Sequence, residues 1–226
     1  MNAILLAAGF GTRLRPMTNT IPKCLVPIKG KPLLQIWLER LTAAEIGSFL
    51  INTHYLPEQV EQFISASPLK NKAKLFHEPV LLGTAGTLIA NKRFLQEEDG
   101  MLIHADNYCL ADLQAFIKAH KSRPEECLMT MLTFRTDTPS SCGIVELNEQ
   151  GVVIGFHEKV SNPPGNLANG AVYILSTDLI ASLEKETDFS TEVLTKLVGK
   201  IYTYTTDMPF LDIGTPEAYK KANSLN

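Results

Sequence analysis

Gly9-Phe10-Gly11-Thr12-Arg13-Leu14-Arg15-Pro16 follows, one residue on, the apolar run Ala3-Ile4-Leu5-Leu6-Ala7, and Lys23 stands ten residues beyond Arg13. Two glycines let a backbone approach a ligand closely and turn its N–H groups inward, and the arginines add charge that suits phosphate. The Rossmann fingerprint would need glycine where Leu14 stands, which disfavours a dinucleotide. Gly30-Lys31 runs into Pro32 and lacks the earlier glycine of a Walker A loop. On spacing alone the stretch reads either as a phosphate loop or as a plain strand–turn. A second chemical position is Asp106, which ends the apolar run Met101-Leu102-Ile103-His104-Ala105. Open α/β sheets bind ligands at the carboxyl ends of their strands. An acid placed there among phosphates is explained if it holds Mg²⁺, which takes oxygen ligands; its alternative is a helix N-cap. No Ser–His–Asp arrangement is evident, and the histidines form no ligand set.

The longer stretch Leu6-Ala7-Ala8-Gly9-Phe10-Gly11-Thr12-Arg13-Leu14-Arg15-Pro16-Met17-Thr18, with Pro22-Lys23-Cys24-Leu25-Val26-Pro27 and Gly30-Lys31-Pro32-Leu33, resembles the signature of the sugar-1-phosphate nucleotidyltransferases. Matching segments continue at Leu82–Thr87, His104–Asp106, Phe156–Lys159, Asn169–Tyr173 and Leu211–Pro216, so the resemblance spans almost the whole chain. Within that family it is most similar to the mannose-1-phosphate and heptose-1-phosphate guanylyltransferase branch, and no left-handed β-helix acyltransferase tail is expected. The resemblance implies a Rossmann-like, mixed, mostly parallel sheet flanked by helices, with a small antiparallel sugar-binding portion. It implies transfer of a nucleotidyl group from a nucleoside triphosphate, GTP by preference, to a sugar 1-phosphate, with release of pyrophosphate and Mg²⁺ as cofactor. UTP or dTTP as donor, a cytidylyl transfer to a phosphorylated alcohol and a non-catalytic nucleotide-sugar-binding domain are the alternatives.

Carried over residue by residue, Arg13 would reach the triphosphate and leaving pyrophosphate, Lys23 the α-phosphate, and Asp106 with Asp212 the metal. Ala7, Ala8, Gly9, Gly11, Thr12, Gly83 and Thr84 would complete the nucleotide site. Lys159 would hold the sugar phosphate, Glu158 and Asn169 the sugar hydroxyls, and Gly143 would meet the sugar through its backbone. Glu78 falls in the segment that lines the base pocket. A carboxylate only accepts hydrogen bonds and so suits guanine, which presents two adjacent donors; its alternative is a solvent-facing side chain.

Positioning these groups falls to alternating strand and helix segments. Ala3–Ala7, Phe49–Asn52, Lys74–Phe76 and Met101–His104 read as strands. Helices are expected at Leu33–Leu41, opened by Pro32 and closed by Gly47, and at Glu58–Ile64, Thr84–Phe94 and Leu113–His120. The rhythm then changes to strand candidates at Cys127–Phe134, Gly143–Leu147, Val152–His157 and Ala171–Leu175, an antiparallel or mixed portion. Leu179–Glu186, Thr191–Leu197 and Pro216–Asn223 look helical and Ile201–Thr205 strand-like. One domain is expected over 1–226, with 1–125 mainly nucleotide-binding and 126–226 mainly sugar-phosphate-binding. The 226 residues are 45% hydrophobic and 20% charged, with 21 basic against 24 acidic side chains. A net charge of −3 excludes a broad nucleic-acid footprint. No apolar stretch approaches membrane-helix length, and no signal peptide is read at the N-terminus. Cys24, Cys109, Cys127 and Cys142 form no CxxC pair. A reduced, cytoplasmic monomer or homodimer, with no membrane partner, is the expectation.

Overall fold

A computed structural model describes residues 1–95 and 97–225. In chain order the elements are β1 (Ala3–Leu6), β2 (Pro27–Ile28), β3 (Lys31–Pro32), α1 (Leu33–Ala43), β4 (Phe49–Thr53), α2 (Pro57–Ala66), β5 (Ala73–His77) and α3 (Gly83–Ala90). They continue through β6 (Gly100–His104), β7 (Asn107–Cys109), α4 (Leu113–Lys121), β8 (Met129–Arg135), β9 (Gly143–Leu147), β10 (Val153–Glu158) and β11 (Leu167–Leu175). The last are α5 (Thr177–Ser182), β12 (Ile201–Thr206), β13 (Phe210–Asp212) and α6 (Pro216–Ser224). Among the described residues no helix is long and apolar enough to cross a membrane.

The chain forms two compact units, interleaved in sequence. The first comprises Met1–Leu81, Ile103–Leu110 and Pro209–Asn226. In it β1 and β5 each pair parallel with β4, Ala3 opposite Phe49 and Ala73 likewise. Strands buried on both faces need continuous apolar runs, and Ala3, Ile4, Leu5, Phe49, Leu50 and Ile51 are all buried. The α1 stripe Leu33, Leu34, Trp37, Leu38 and Leu41 is buried on one helix face. Each of these residues contributes roughly 1.5–3 kcal/mol relative to exposure. β7 and β13 form a short antiparallel ribbon with Asp212 opposite Asn107.

The second unit comprises Leu82–Leu102 and Ala111–Met208. Here β8 pairs antiparallel with β11 and parallel with β12, while β9 pairs antiparallel with β10 and β11. Met129, Met131, Leu132, Tyr173, Ile174 and Phe189 are buried at its centre. The change from parallel to antiparallel pairing expected from the sequence is therefore present.

Several element boundaries differ from the sequence reading, each for a local reason. Helix α1 stops at Ala43, and Glu45 takes the left-handed turn (φ 62°) expected of Gly47. The expected Thr84–Phe94 helix ends at Ala90, where the Asn91 amide takes the Thr87 carbonyl at 2.9 Å. The expected Leu179–Glu186 helix is α5, ending at Ser182. Glu186 turns its carboxylate back onto the N–H groups of Glu184 and Lys185 at 3.1 and 3.2 Å, an alternative to continuing the helix. The Thr191–Leu197 segment is a widened turn, Phe189–Val193, followed by a tight one, Leu194–Leu197, rather than an α-helix. Strand β11 starts earlier than Ala171 and bulges between Asn169 and Tyr173. The short strands β2, β3, β7 and β13 carry too few residues for a pattern to show.

Candidate active site

The first unit gathers the charged residues at the loop after β1. Gly11 holds φ +63°, and a Cβ there would stand 3.0 Å from the Thr18 methyl and 3.1 Å from Lys23 Cβ. The position needs glycine for both backbone and space. Thr18 Oγ1 donates to the Gly11 carbonyl at 2.7 Å and fixes the loop. Thr12, Arg13 and Leu14 make one tight turn anchored by buried Leu14, which leaves Thr12 and Arg13 exposed. Lys23 follows Pro22 in a second tight turn, with its side chain only 8% exposed.

The Lys23 ammonium donates to Asp106 Oδ2 at 2.7 Å and to Asp212 Oδ1 at 3.2 Å. Asp106 follows β6 at its carboxyl end, and the Ile213 N–H donates to the Asp106 carbonyl at 3.1 Å. The β7–β13 ribbon thus sets both acids side by side, and the Trp37 indole N–H braces it by donating to the Asn107 carbonyl at 2.8 Å. Arg13 Nη2 lies 3.5 Å from Asp212 Oδ2. A Cβ on Gly214 would come within 2.8 Å of that guanidinium nitrogen. Burial alone would lower the Lys23 ammonium, but the facing Asp106 and Asp212 carboxylates outweigh it and hold it above the usual lysine range. Burial would likewise raise Asp106, yet the charges of Lys23 and His104 hold it below the ordinary carboxylate value.

Two carboxylates converging on one cation are an all-oxygen donor pair. Among the described residues no third His, Cys, Asp or Glu joins them. Such a pair fits a hard divalent ion that completes its shell with water and phosphate oxygens. With Arg13 beside it, the cluster can bind and neutralise a polyphosphate.

Beyond the loop, Ala8 is buried, Gly9 is exposed with open space where a Cβ would stand, and the Ala7 N–H donates to Asn52 Oδ1 at 2.6 Å. Glu78 follows β5 and is only 1% exposed, so it does not face solvent. Its Oε1 accepts from Asn52 Nδ2 at 2.9 Å.

The remaining candidates belong to the second unit. Gly83 holds φ +81°, and a Cβ on it would collide with the Thr187 carbonyl. That carbonyl accepts from Ala85 and Gly86 N–H at 3.0 and 3.4 Å, and Thr84 Oγ1 accepts from Phe189 N–H at 2.7 Å. The first turn of α3 is therefore bonded within its own unit. Gly143 packs against Glu158 and Phe156: a Cβ there would stand 2.7 Å from Glu158 Oε2 and 2.9 Å from the ring. Lys159, at φ +50°, reaches Glu158 Oε1 at 3.2 Å with its side chain 66% exposed. Asn169 braces the β11 bulge, donating to Tyr173 Oη and accepting from Ala171 N–H, both at 2.8 Å.

The sequence reading did not single out Asn52, Trp37 or Gly214. Asn52 carried a usable signal, a polar residue near the carboxyl end of a buried parallel strand. Trp37 lay hidden in an apolar helical stripe.

A sequence model of the family described as nucleotidyl transferase matches residues 2–226. The mannose-1-phosphate guanylyltransferase of Mycobacterium tuberculosis is 30% identical over 99% of this chain and 64% of its own length. This chain thus spans a little under two thirds of that curated relative. The crystal structure of HddC from Yersinia pseudotuberculosis complexed with GMP-PN is 27% identical, with TM-score 0.82 over 98% of this chain and 97% of that one. A Bacillus anthracis chain of only 20% identity has the same fold at TM-score 0.85, covering 100% of this chain and 96% of that one. The α/β fold, a mixed, mostly parallel sheet flanked by helices with an antiparallel portion, is the one these proteins share. With the match running from residue 2 to residue 226, the chain belongs to the nucleotidyl transferase family.

Proposed function

We propose that this chain transfers a guanylyl group from GTP to mannose 1-phosphate or a manno-heptose 1-phosphate. The observation that carries the reading is Lys23 held between Asp106 and Asp212 at the foot of the glycine loop. The names of the Mycobacterium relative and of the GMP-PN complex support guanine and a manno sugar.

In the reaction a phosphate oxygen of the sugar 1-phosphate bonds to the α-phosphorus of the triphosphate. The bond from that phosphorus to the bridging oxygen breaks, and its electron pair leaves with pyrophosphate. The attacking oxygen is already ionised, so no general base is required and the work is positioning and charge stabilisation. Lys23, kept protonated by its two acids, supplies positive charge for the α-phosphate. The Arg13 guanidinium, whose planar fork suits phosphate oxygens, stabilises the departing pyrophosphate. Asp106 and Asp212 would hold Mg²⁺, which would supply positive charge against the phosphates. Glu78 accepts from the adjacent donors of guanine, Gly83 and Thr84 flank the nucleotide, and Lys159, Glu158, Asn169 and Gly143 receive the sugar phosphate. A cytoplasmic monomer or homodimer is part of the same reading.

The test is pyrophosphate release from a matrix of four nucleoside triphosphates and several sugar 1-phosphates, with and without Mg²⁺. GTP should be used at least about tenfold better than UTP, the value of one good hydrogen bond to a charged group. Equal use of both would remove Glu78 from base selection, and no release from any pair would overturn the enzyme reading.

A further inference from the structure

Asn52 lies in β4, is 4% exposed, and bonds in two directions. Its Oδ1 accepts the Ala7 N–H at 2.6 Å, and its Nδ2 donates to Glu78 Oε1 at 2.9 Å. A backbone N–H can only donate, so the amide oxygen must face Ala7 and the amide nitrogen Glu78. The chain around Glu78 is tied as firmly: its N–H donates to the Thr53 carbonyl at 2.8 Å, and its own carbonyl meets His54 Nδ1 at 2.7 Å. The His54 ring in turn lies edge-on to Phe10 of the glycine loop, their centroids 5.2 Å apart. The turn after β1, the end of β4 and the segment after β5 are thereby one bonded unit at the carboxyl edge of three parallel strands.

We infer that Asn52 is a positioning residue for base selection. It fixes the Glu78 carboxylate relative to the β1 turn that leads into the phosphate loop, so base and triphosphate are held in one register. Ala7, at the other end of the amide, uses its N–H for this bond rather than for ligand. The inference rests on the guanylyl-transfer reading and extends it to a residue that touches no substrate.

The test compares GTP with UTP at saturating mannose 1-phosphate for the wild type, Asn52→Asp and the double variant Asn52→Asp with Glu78→Gln, with thermal unfolding of each. Asn52→Asp keeps an acceptor for Ala7 but sets a second carboxylate against Glu78. The expected result is a GTP-to-UTP ratio of kcat/KM lowered about tenfold or more, with the KM for sugar phosphate unchanged. In the double variant a donor again faces an acceptor across the pair. The unfolding temperature and the triphosphate KM should then recover without the preference for GTP. An Asn52→Asp enzyme that keeps the wild-type ratio, or loses both nucleotides equally, overturns the inference and makes the residue merely structural. A wild type that prefers UTP removes the guanine reading alone; Asn52 is then judged by the same ratio, which Asn52→Asp must still move.

Discussion

At the scale of single residues, four charges, on Arg13, Lys23, Asp106 and Asp212, decide what the first unit can do. Lys23 is almost fully covered, and removing one acid from its pair changes local charge with little change in shape. Asp106→Asn should therefore fold with an unfolding temperature close to wild type yet lose turnover by about a hundredfold or more, as expected for a preorganised charge-stabilising group. Full activity of that variant in EDTA would remove the two-carboxylate site. The other two cations should separate kinetically. On the proposed reaction Arg13 meets charge that grows as pyrophosphate leaves, and Arg13→Ala is then expected to lower kcat. On the same reading Lys159→Ala should chiefly raise the KM for sugar phosphate, without unfolding the protein, because the Lys159 side chain is mostly exposed. Identical defects in both, confined to the triphosphate, would show the assignments wrong. Arg13, Lys23 and Asp106 stood out as charges beside a glycine loop or at a strand's carboxyl end, while Asp212 was reached only through the family resemblance. Asn52 showed only as a polar residue near a strand end, and its two hydrogen bonds, to segments far apart in sequence, leave no motif.

At the scale of elements, two glycines give opposite expectations. The obstacle at Gly214 is the flexible end of Arg13 and the Asp212 carboxylate, whereas at Gly83 it is the Thr187 backbone together with a left-handed φ. Gly214→Ala should keep its unfolding temperature within a few degrees and lower kcat by pushing Arg13 aside. Gly83→Ala should destabilise by about 1–3 kcal/mol, the cost of a forced left-handed residue, seen as a lower urea midpoint. The reverse pattern would mean that neither contact is read correctly. The α1 helix and the strands β1, β4 and β6 were legible for a physical reason: burying one helix face writes an apolar period, and burying both faces of a strand writes an unbroken apolar run. The β7–β13 ribbon was not legible. It is held by pairing between segments a hundred residues apart and by one indole N–H, neither of which leaves a local pattern.

At the scale of the molecule, stability should depend on acid through a group outside the site. His120 is buried in the second unit, its Nδ1 2.8 Å from Thr130 Oγ1 and its Nε2 3.0 Å from Asp99 Oδ2. With Nε2–H donating to the carboxylate, Nδ1 accepts from the threonine, and the ring fits as neutral imidazole. Burial, reinforced by Arg123, pulls it from 6.5 down to about 4. Between those values the unfolded chain binds a proton that the native one does not. Native stability is therefore full above 6.5 and is lost as pH falls toward 4, by up to about 1.4 kcal/mol per pH unit. Asp99, held below its ordinary value despite burial, adds further loss at lower pH. Chemical denaturation at pH 7, 5.5 and 4.5 should show this slope and show it flattened in His120→Gln; equal slopes would assign the acid sensitivity elsewhere.

The interleaving of the two units has a consequence for how the protein is made. Synthesis runs from the N-terminus, and the first unit needs Pro209–Asn226, the segment that brings Asp212. Asp212 lies 189 residues after Lys23, and until it is added the nascent chain carries Lys23 with at most one of its two acids. Strands β8 to β12 pair with one another within residues 129 to 206, and those pairings can form earlier. Asp212 therefore arrives only after the whole of β8 to β12 has been made, and Lys23 gains its second acid at that late point.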